Sequence, residues 1–276
     1  KINRLIKEKK VREVLQTLSA DDMMGRRPGT PGMEKAADFI AGEFRKAGLQ
    51  TLDNSGSYLQ SFVMTRSQIE DHQVLINGKA PEAADVMAFS SSETINWNNQ
   101  GTEVLRIAKG ENFGQRVFGE LQGNKNLLIV ADTSHRRIFN RLKNFRMQRF
   151  KGAGDIVVVL STETPESYSV NIRSRLLETR FSNVVGVIPG KSLKDEKVIF
   201  SAHYDHLGTG KAVDNDSIFN GANDDASGTT GVIMLARYFK KMKQPERTLV
   251  FVAFTAEESG GFGSQYFSRQ MDPEQI

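Results

Sequence analysis

Three segments near the end of the chain decide the fold: residues 198–208 are VIFSAHYDHLG, residues 220–228 are NGANDDASG, and residues 247–261 are RTLVFVAFTAEESGG. Residues 198–202 and 249–254 are short apolar runs rich in β-forming residues, which predicts two strands. Between them, residues 227–242 have apolar side chains at helical spacing. The order strand, helix, strand predicts a parallel βαβ unit.

Acidic and histidine side chains follow each of these predicted elements at one end. His203 and Asp205 come directly after the first strand, and Glu257 and Glu258 follow the second. Asp224 lies in the Gly-rich loop that precedes the helix. Because ligands bind outside the carboxyl ends of parallel strands, we expect these side chains to share one edge of the sheet.

The residue types at this edge suit a metal. Imidazole nitrogen and carboxylate oxygen are zinc ligands, and a carboxylate behind a ligand histidine fixes its tautomer. A Glu-Glu pair at a strand end can divide its roles between metal ligand and general base. Any one cluster alone is equally consistent with ordinary polar loop residues; three in this order favour a metal site.

The motifs HYDHLG, NDDASG and AEESG together resemble the M28 family of zinc peptidases, over roughly residues 182–264. The resemblance implies that His203 binds one zinc with Asp205 behind it, and that Asp224 bridges two zincs. It also implies that Glu257 is the general base and Glu258 a ligand of the second zinc. The implied fold is α/β: a three-layer zinc-exopeptidase-like fold with a mixed, largely parallel central sheet and an inserted smaller α+β lobe.

Two further expectations come from the same resemblance. The family often has a cis peptide after the bridging carboxylate, here between Asp224 and Asp225. Its pattern also includes one more Asp and a His after the Glu pair, and this chain ends at Ile276 without a candidate for either. We therefore expect the chain to be truncated before the last two metal ligands, with a complete protein holding two Zn²⁺.

The predicted activity is that of a zinc-dependent exopeptidase, an aminopeptidase removing N-terminal residues from peptides. Two alternatives stay open. A single-zinc, glutaminyl cyclase-like enzyme would keep the fold and the Glu base, and a peptidase-like binding protein would have lost catalysis. The zinc content of the protein separates the three hypotheses: two ions support the peptidase, one supports the cyclase, and none supports the binding protein.

Composition sets the remaining expectations. A net charge of +4 gives no reason to expect a nucleic-acid partner, and no stretch approaches the roughly 20 apolar residues of a membrane span. The chain has no cysteine, which is compatible with any compartment. It begins at Lys1 rather than Met, as after removal of a secretory leader or after trimming for expression, and we expect a secreted or periplasmic protein that acts on peptides.

The N-terminal region predicts helical structure. Residues 2–18 have amphipathic spacing, and Thr30 and Pro31 are a cap and first residue for a helix that ends at Gly48. The GRRPGTPG loop before that helix also resembles the start of bacterial members of the family.

The predicted domains are residues 1–71 and 171–276, which form the N-terminal part and the metal-site core of the peptidase domain, and an inserted segment, 72–170. The insert is predicted to be loop-rich, with short strand-like runs at residues 74–76, 127–131 and 156–160. It loosely resembles a protease-associated domain, and we expect an accessory or lid domain.

Two features have a functional and a plain interpretation. Residues 136–151 are basic and aromatic, as in some nucleic-acid or membrane-binding helices, but a packed amphipathic helix with Ile138, Leu142 and Phe145 in the core is favoured. His206 could reach the metals, yet His203 already fits that role, so His206 is expected to hydrogen-bond near the site.

Overall fold

The computed structural model describes residues 6–99, 102–145 and 147–276, and by internal contacts the chain divides into two units. The first unit consists of Lys1–Phe62 and Arg180–Ile276, and the second of Val63–Thr179. The α-helices are α1 (Glu8–Leu18), α2 (Pro31–Ala47), α3 (Phe113–Leu121), α4 (Arg136–Asn144), α5 (Ser227–Lys240) and α6 (Phe262–Ser268). The strands are β1 (Leu59–Ile76), β2 (Val86–Phe89), β3 (Thr94–Asn98), β4 (Glu103–Ile107), β5 (Leu127–Ala131), β6 (Arg149–Phe150), β7 (Ile156–Leu160), β8 (Tyr168–Ile188), β9 (Leu193–His203), β10 (Gly208–Val213), β11 (Asp216–Phe219) and β12 (Arg247–Phe254).

The predicted βαβ unit is present as β9, α5 and β12. β9 and β12 are parallel neighbours, with Val198 opposite Leu249 and His203 opposite Phe254. The sheet that contains them has the order β6-β1-β8-β12-β9, with β3 also paired to β8.

This sheet is mixed, as predicted, but it is not largely parallel in its described pairings. β8 runs antiparallel to β12 and to β3, and β1 runs antiparallel to β6. The reason lies in the connections: β8 and β9 are joined only by residues 189–192, which reverse the chain, whereas a parallel pairing needs a longer crossover such as α5.

Helices cover both faces of the sheet in the first unit. Phe251 of β12 stacks on Phe200 of β9 and approaches Phe239 of α5. On the other face, Phe254 packs edge-on against Phe267 of α6. Because successive side chains of a strand point to opposite faces, a strand packed by helices on both sides must be apolar on both faces, and β12 is so from Leu249 to Phe254. The predicted three-layer α/β fold is thereby confirmed.

The N-terminal helices match the sequence pattern. α2 begins with Pro31 in its first turn and ends at Gly48, which has φ of 78°. Its buried face includes Ala36, Ile40 and Phe44, as the spacing predicts. α1 covers the later part of the predicted helix 2–18, whose residues 2–5 lie outside the described residues.

The second unit has a four-stranded sheet of its own, in the order β2-β7-β5-β4. β5 is parallel to β4 and β7, and β2 is antiparallel to β7. One face of β5 and β7 packs on a core that includes Phe113 of α3 and Phe139 of α4, and the other on side chains of β1, β3 and β8. The predicted strands at 127–131 and 156–160 are present, but the segment between His72 and Ser169 is far less loop-rich than predicted. The predicted insert, 72–170, lies within the second unit.

The basic stretch forms α4, and its buried face differs from the prediction. Phe139 and Leu142 are buried, whereas Ile138 and Phe145 are 45% and 63% exposed. The helix ends at Asn144, so Phe145 no longer follows the helical spacing that placed it in the core. Among the described helices, none is long and apolar enough to cross a membrane.

Candidate metal centre

The ends of β9 and β12 bring the predicted site residues to one edge. The Tyr204 N–H donates to the Phe254 carbonyl at 2.9 Å, which extends the parallel pairing to the point where both strands end. The chain then turns at Ala256, which has φ of 54°. The turn places Glu257 and Glu258 across from the loop that follows His203.

Asp224 lies between two histidines. Its Oδ1 is 3.1 Å from His203 Nε2, and its Oδ2 is 4.0 Å from His206 Nδ1. Residues 222–226 form a single π-helical turn before α5, and within it Asp224 and Asp225 leave helical geometry. The Asp224–Asp225 peptide is cis, as the resemblance implies.

Glu258 lies beside His206. His206 Nδ1 and Glu258 Oε1 are 2.8 Å apart, within hydrogen-bond distance, and the Glu258 side chain is 22% exposed. One donor atom each from His206, Asp224 and Glu258 lies within 4.8 Å of the other two. His206 is thus part of the cluster, at the position where the sequence predicts only a nearby hydrogen bond.

Glu257 has a different environment from its neighbour. Its side chain is 54% exposed, and its Oε2 lies 3.9 Å from His203 Nε2. A carboxylate that faces solvent at the edge of the cluster can reach a water or a substrate, so the geometry separates the two glutamates.

Asp205 is buried beneath the cluster. Its two carboxylate oxygens accept the backbone N–H groups of Glu257 and Glu258 at 3.1 and 3.2 Å. Burial raises the pKa of its carboxyl to about 6, while these two donors act in the opposite direction. His203 Nδ1 is nearer to the Asp205 carbonyl oxygen, at 3.2 Å, than to its carboxylate, at 3.8 Å. Asp205 therefore holds the Glu pair as well as lying behind His203.

The carboxylate of Asp225, the residue after Asp224, accepts hydrogen bonds from backbone N–H groups. It accepts the Gly228 N–H at 2.9 Å and the His203 N–H at 3.3 Å. This arrangement ties the start of α5 to the end of β9, since one side chain bridges both.

Sequence reasoning missed Arg26 and Gly221 and did not place His206 in the cluster. Arg26 belongs to the GRRPGTPG loop and is fully buried against the site loops. Gly221 has φ of 57° and lies next to His206 and Asp224. The HYDH motif and the loop glycines are evident in the sequence, but the partners of Arg26 in the site loops are 178 to 195 residues away along the chain.

The donor set fits zinc by its chemistry. Histidine nitrogen and carboxylate oxygen bind zinc at about 2.0–2.2 Å, so one ion can be shared by donors a few ångströms apart. His206, Asp224 and Glu258 each offer one donor atom within 4.8 Å of the other two, and His203 lies on the other oxygen of Asp224. An Asp flanked in this way can also bridge two ions.

Comparisons with known proteins agree with this geometry. Residues 183–276 match the model of peptidase family M28. A probable zinc metalloprotease of Pyrenophora teres f. teres is 34% identical over 218 residues, covering 72% of this chain and 44% of that protein. Aminopeptidase YwaD of Bacillus subtilis is 28% identical over 95 residues, or 34% of this chain and 19% of that protein.

The fold also matches a solved structure. The aminopeptidase from Aneurinibacillus sp. strain AM-1 superposes with a TM-score of 0.51 over 99% of this chain and 68% of its own, at 19% identity. The chain spans less than half the length of the curated relatives it matches first, between 21% and 44%.

Proposed function

We propose, from the membership of residues 183–276 in peptidase family M28, that this protein is a zinc-dependent exopeptidase that removes N-terminal residues from peptides. The observation that carries the proposal is the convergence of His203, Asp224 and Glu258, with Glu257 at its exposed rim. This set supplies both metal donors and a free carboxylate, which are the two requirements of metal-assisted hydrolysis.

In the proposed ligand set, each of the two carboxylate oxygens of Asp224 faces a different zinc. His203 and Asp224 would hold one zinc, and Glu258 and Asp224 a second, with His206 beside Glu258. When bound, zinc supplies Lewis-acid polarisation of the scissile carbonyl and lowers the pKa of a coordinated water. Asp205 orients the cluster from below through its hydrogen bonds to the Glu257 and Glu258 backbone.

Glu257 is the proposed general base. Its carboxylate takes a proton from the attacking water as the water oxygen bonds to the scissile carbonyl carbon. The same carboxyl then gives that proton to the departing amine nitrogen as the C–N bond breaks. The exposure of its side chain and its position 3.9 Å from His203 Nε2 support this role.

The remaining parts of the proposal concern the second unit and the location. Residues 72–170 are proposed to be an accessory or lid domain, protease-associated-like, that selects peptides by length. We also propose that the protein is bacterial, which the resemblance of the GRRPGTPG loop to bacterial members supports, and that it is secreted or periplasmic. Fractionation of the source cells, with immunodetection, tests the location.

Hydrolysis of aminoacyl-4-nitroanilides by the purified full-length protein tests the activity. We expect turnover of substrates with a free α-amine, none after N-acetylation, loss with a chelator and recovery with Zn²⁺. Cyclisation of N-terminal glutaminyl peptides without anilide hydrolysis would favour the single-zinc cyclase. A zinc-free protein inactive in both assays would contradict the proposal.

A further inference from the structure

Arg26 is a buried cation whose side chain donates, among the described residues, to main-chain oxygens. It is 0% exposed. Its Nε donates to the Tyr204 carbonyl at 2.7 Å, one Nη donates to the carbonyls of Leu18 and Asn220, and the other donates to that of Gly221 at 2.9 Å. Within the described part of the chain, Arg26 has no carboxylate at ion-pair distance.

Three of these carbonyls, those of Tyr204, Asn220 and Gly221, belong to the two segments that carry the metal donors, and the fourth is that of Leu18 at the end of α1. Tyr204 lies between His203 and Asp205, and Gly221 lies three residues before Asp224. The Arg26 carbonyl in turn accepts the His206 N–H at 3.2 Å. One residue of the N-terminal loop therefore holds both the loop after β9 and the loop before α5.

The charge of Arg26 also suits this place. Burial lowers the pKa of its guanidinium, and the fields of Asp205, Asp224 and Asp225 act in the opposite direction. A guanidinium is more weakly hydrated than an ammonium and offers five donors in a planar fork, so it tolerates burial against several carbonyls. A cation behind a group of carboxylates offsets part of their mutual repulsion.

We propose that Arg26 is a positioning residue of the metal centre, whose guanidinium fixes the separation between the loop bearing His203 and His206 and the loop bearing Asp224. The proposal rests on the proposed function of the site. A residue that only packed the core would need neither a buried charge nor three main-chain acceptors on these loops.

The test compares Arg26→Met and Arg26→Lys with a matched control, Arg237→Met, in the full-length protein. Methionine keeps much of the length and removes the charge and donors, while lysine keeps the charge and loses the fork. Arg237 is also largely buried, but its partner is Glu43 of α2, away from the cluster. The readouts are zinc affinity by chelator competition, thermal unfolding without zinc, and the separate kcat and KM for an aminoacyl anilide.

We expect Arg26→Met and Arg237→Met both to unfold at lower temperature, and Arg26→Met alone to bind zinc more weakly, by about 10–100-fold. Arg26→Lys is expected to fold and to weaken zinc binding several-fold, with kcat reduced more than KM is raised. Wild-type zinc affinity in Arg26→Lys, or in a folded Arg26→Met, would overturn the proposal. A wild-type protein that binds no zinc would instead overturn the proposed function.

Discussion

At the scale of single residues, the two adjacent glutamates are distinguished by their surroundings. Glu258 is largely buried and lies beside His206, whereas Glu257 is more than half exposed. The sequence predicts the two types and their order, because both follow an apolar strand. It does not predict His206 as the partner of Glu258, because that contact depends on where two loops meet.

Glu257→Gln tests the division of roles. We expect normal zinc content and a kcat lower by about 10²–10⁴-fold, since the amide cannot accept the water proton. Glu258→Gln should lose zinc instead, because the substitution replaces a charged carboxylate ligand with a neutral amide. Zinc content by elemental analysis and anilide turnover check both variants; wild-type turnover in the first, or full zinc occupancy in the second, contradicts the assignment.

Gly221 is a second residue-scale determinant. Its φ is 57°, and a Cβ there would overlap the Asp224 carbonyl and lie 2.6 Å from Cδ2 of the His206 ring. We expect Gly221→Ala to reduce the free energy of unfolding by about 1–3 kcal/mol and to weaken zinc binding. Urea unfolding and zinc titration measure the two effects.

Gly42→Ala is the matched control for Gly221. Gly42 lies inside α2, and a Cβ there would meet nothing within 4 Å. Alanine at an interior helical position is expected to raise stability by up to about 1 kcal/mol. Equal effects of the two substitutions would show that the site loop does not need its glycine.

At the scale of elements, prediction succeeded where the local pattern and the packing agree. Turn residues bound four correctly predicted elements. Three are strands whose apolar runs are buried on both faces, β5, β7 and β12, and the fourth is the helix α5, which is buried along one stripe. Prediction found the strand-like run at residues 74–76 but missed that β1 is one continuous strand, because residues 66–73 are mostly polar and none of them is buried. It also failed for the buried face of α4, because a short helix leaves few positions from which to read a period.

Phe139→Ala and Phe145→Ala test the observed face of α4. Phe139 is fully buried in the core of the second unit, so its truncation should cost about 3–5 kcal/mol of unfolding free energy. Phe145 is exposed and contacts only Arg141 through its ring among the described interactions, so its truncation should cost less than about 1 kcal/mol. Urea unfolding of both variants measures these costs. A larger loss of unfolding free energy at Phe145 than at Phe139 would favour the buried face that the sequence predicts.

At the scale of the whole molecule, the chain consists of two units, and the metal donors all belong to the first. The residue pattern changes after residue 65, which predicts an insertion. The sequence alone does not show that β1 and β8 each contribute residues to both units. Those strands are hydrogen-bonded neighbours, so a short Gly-Ser linker can replace residues 63–179.

Replacing residues 63–179 with this linker tests whether the metal centre forms without the second unit. We expect the shortened protein to retain its zinc stoichiometry, because every proposed ligand remains, and to lose its discrimination between short and long peptides. Circular dichroism establishes folding first, and zinc content and a peptide-length series follow. A folded protein that binds no zinc would show that the second unit is required for the metal centre.

The claim on which the rest depends is that the edge of β9 and β12 is a zinc centre. Elemental analysis of the purified full-length protein, dialysed against metal-free buffer, tests it most directly. We expect two zinc ions per chain, both lost from the Asp224→Asn variant. A wild-type protein without zinc, or zinc retained in full after Asp224→Asn, would contradict it.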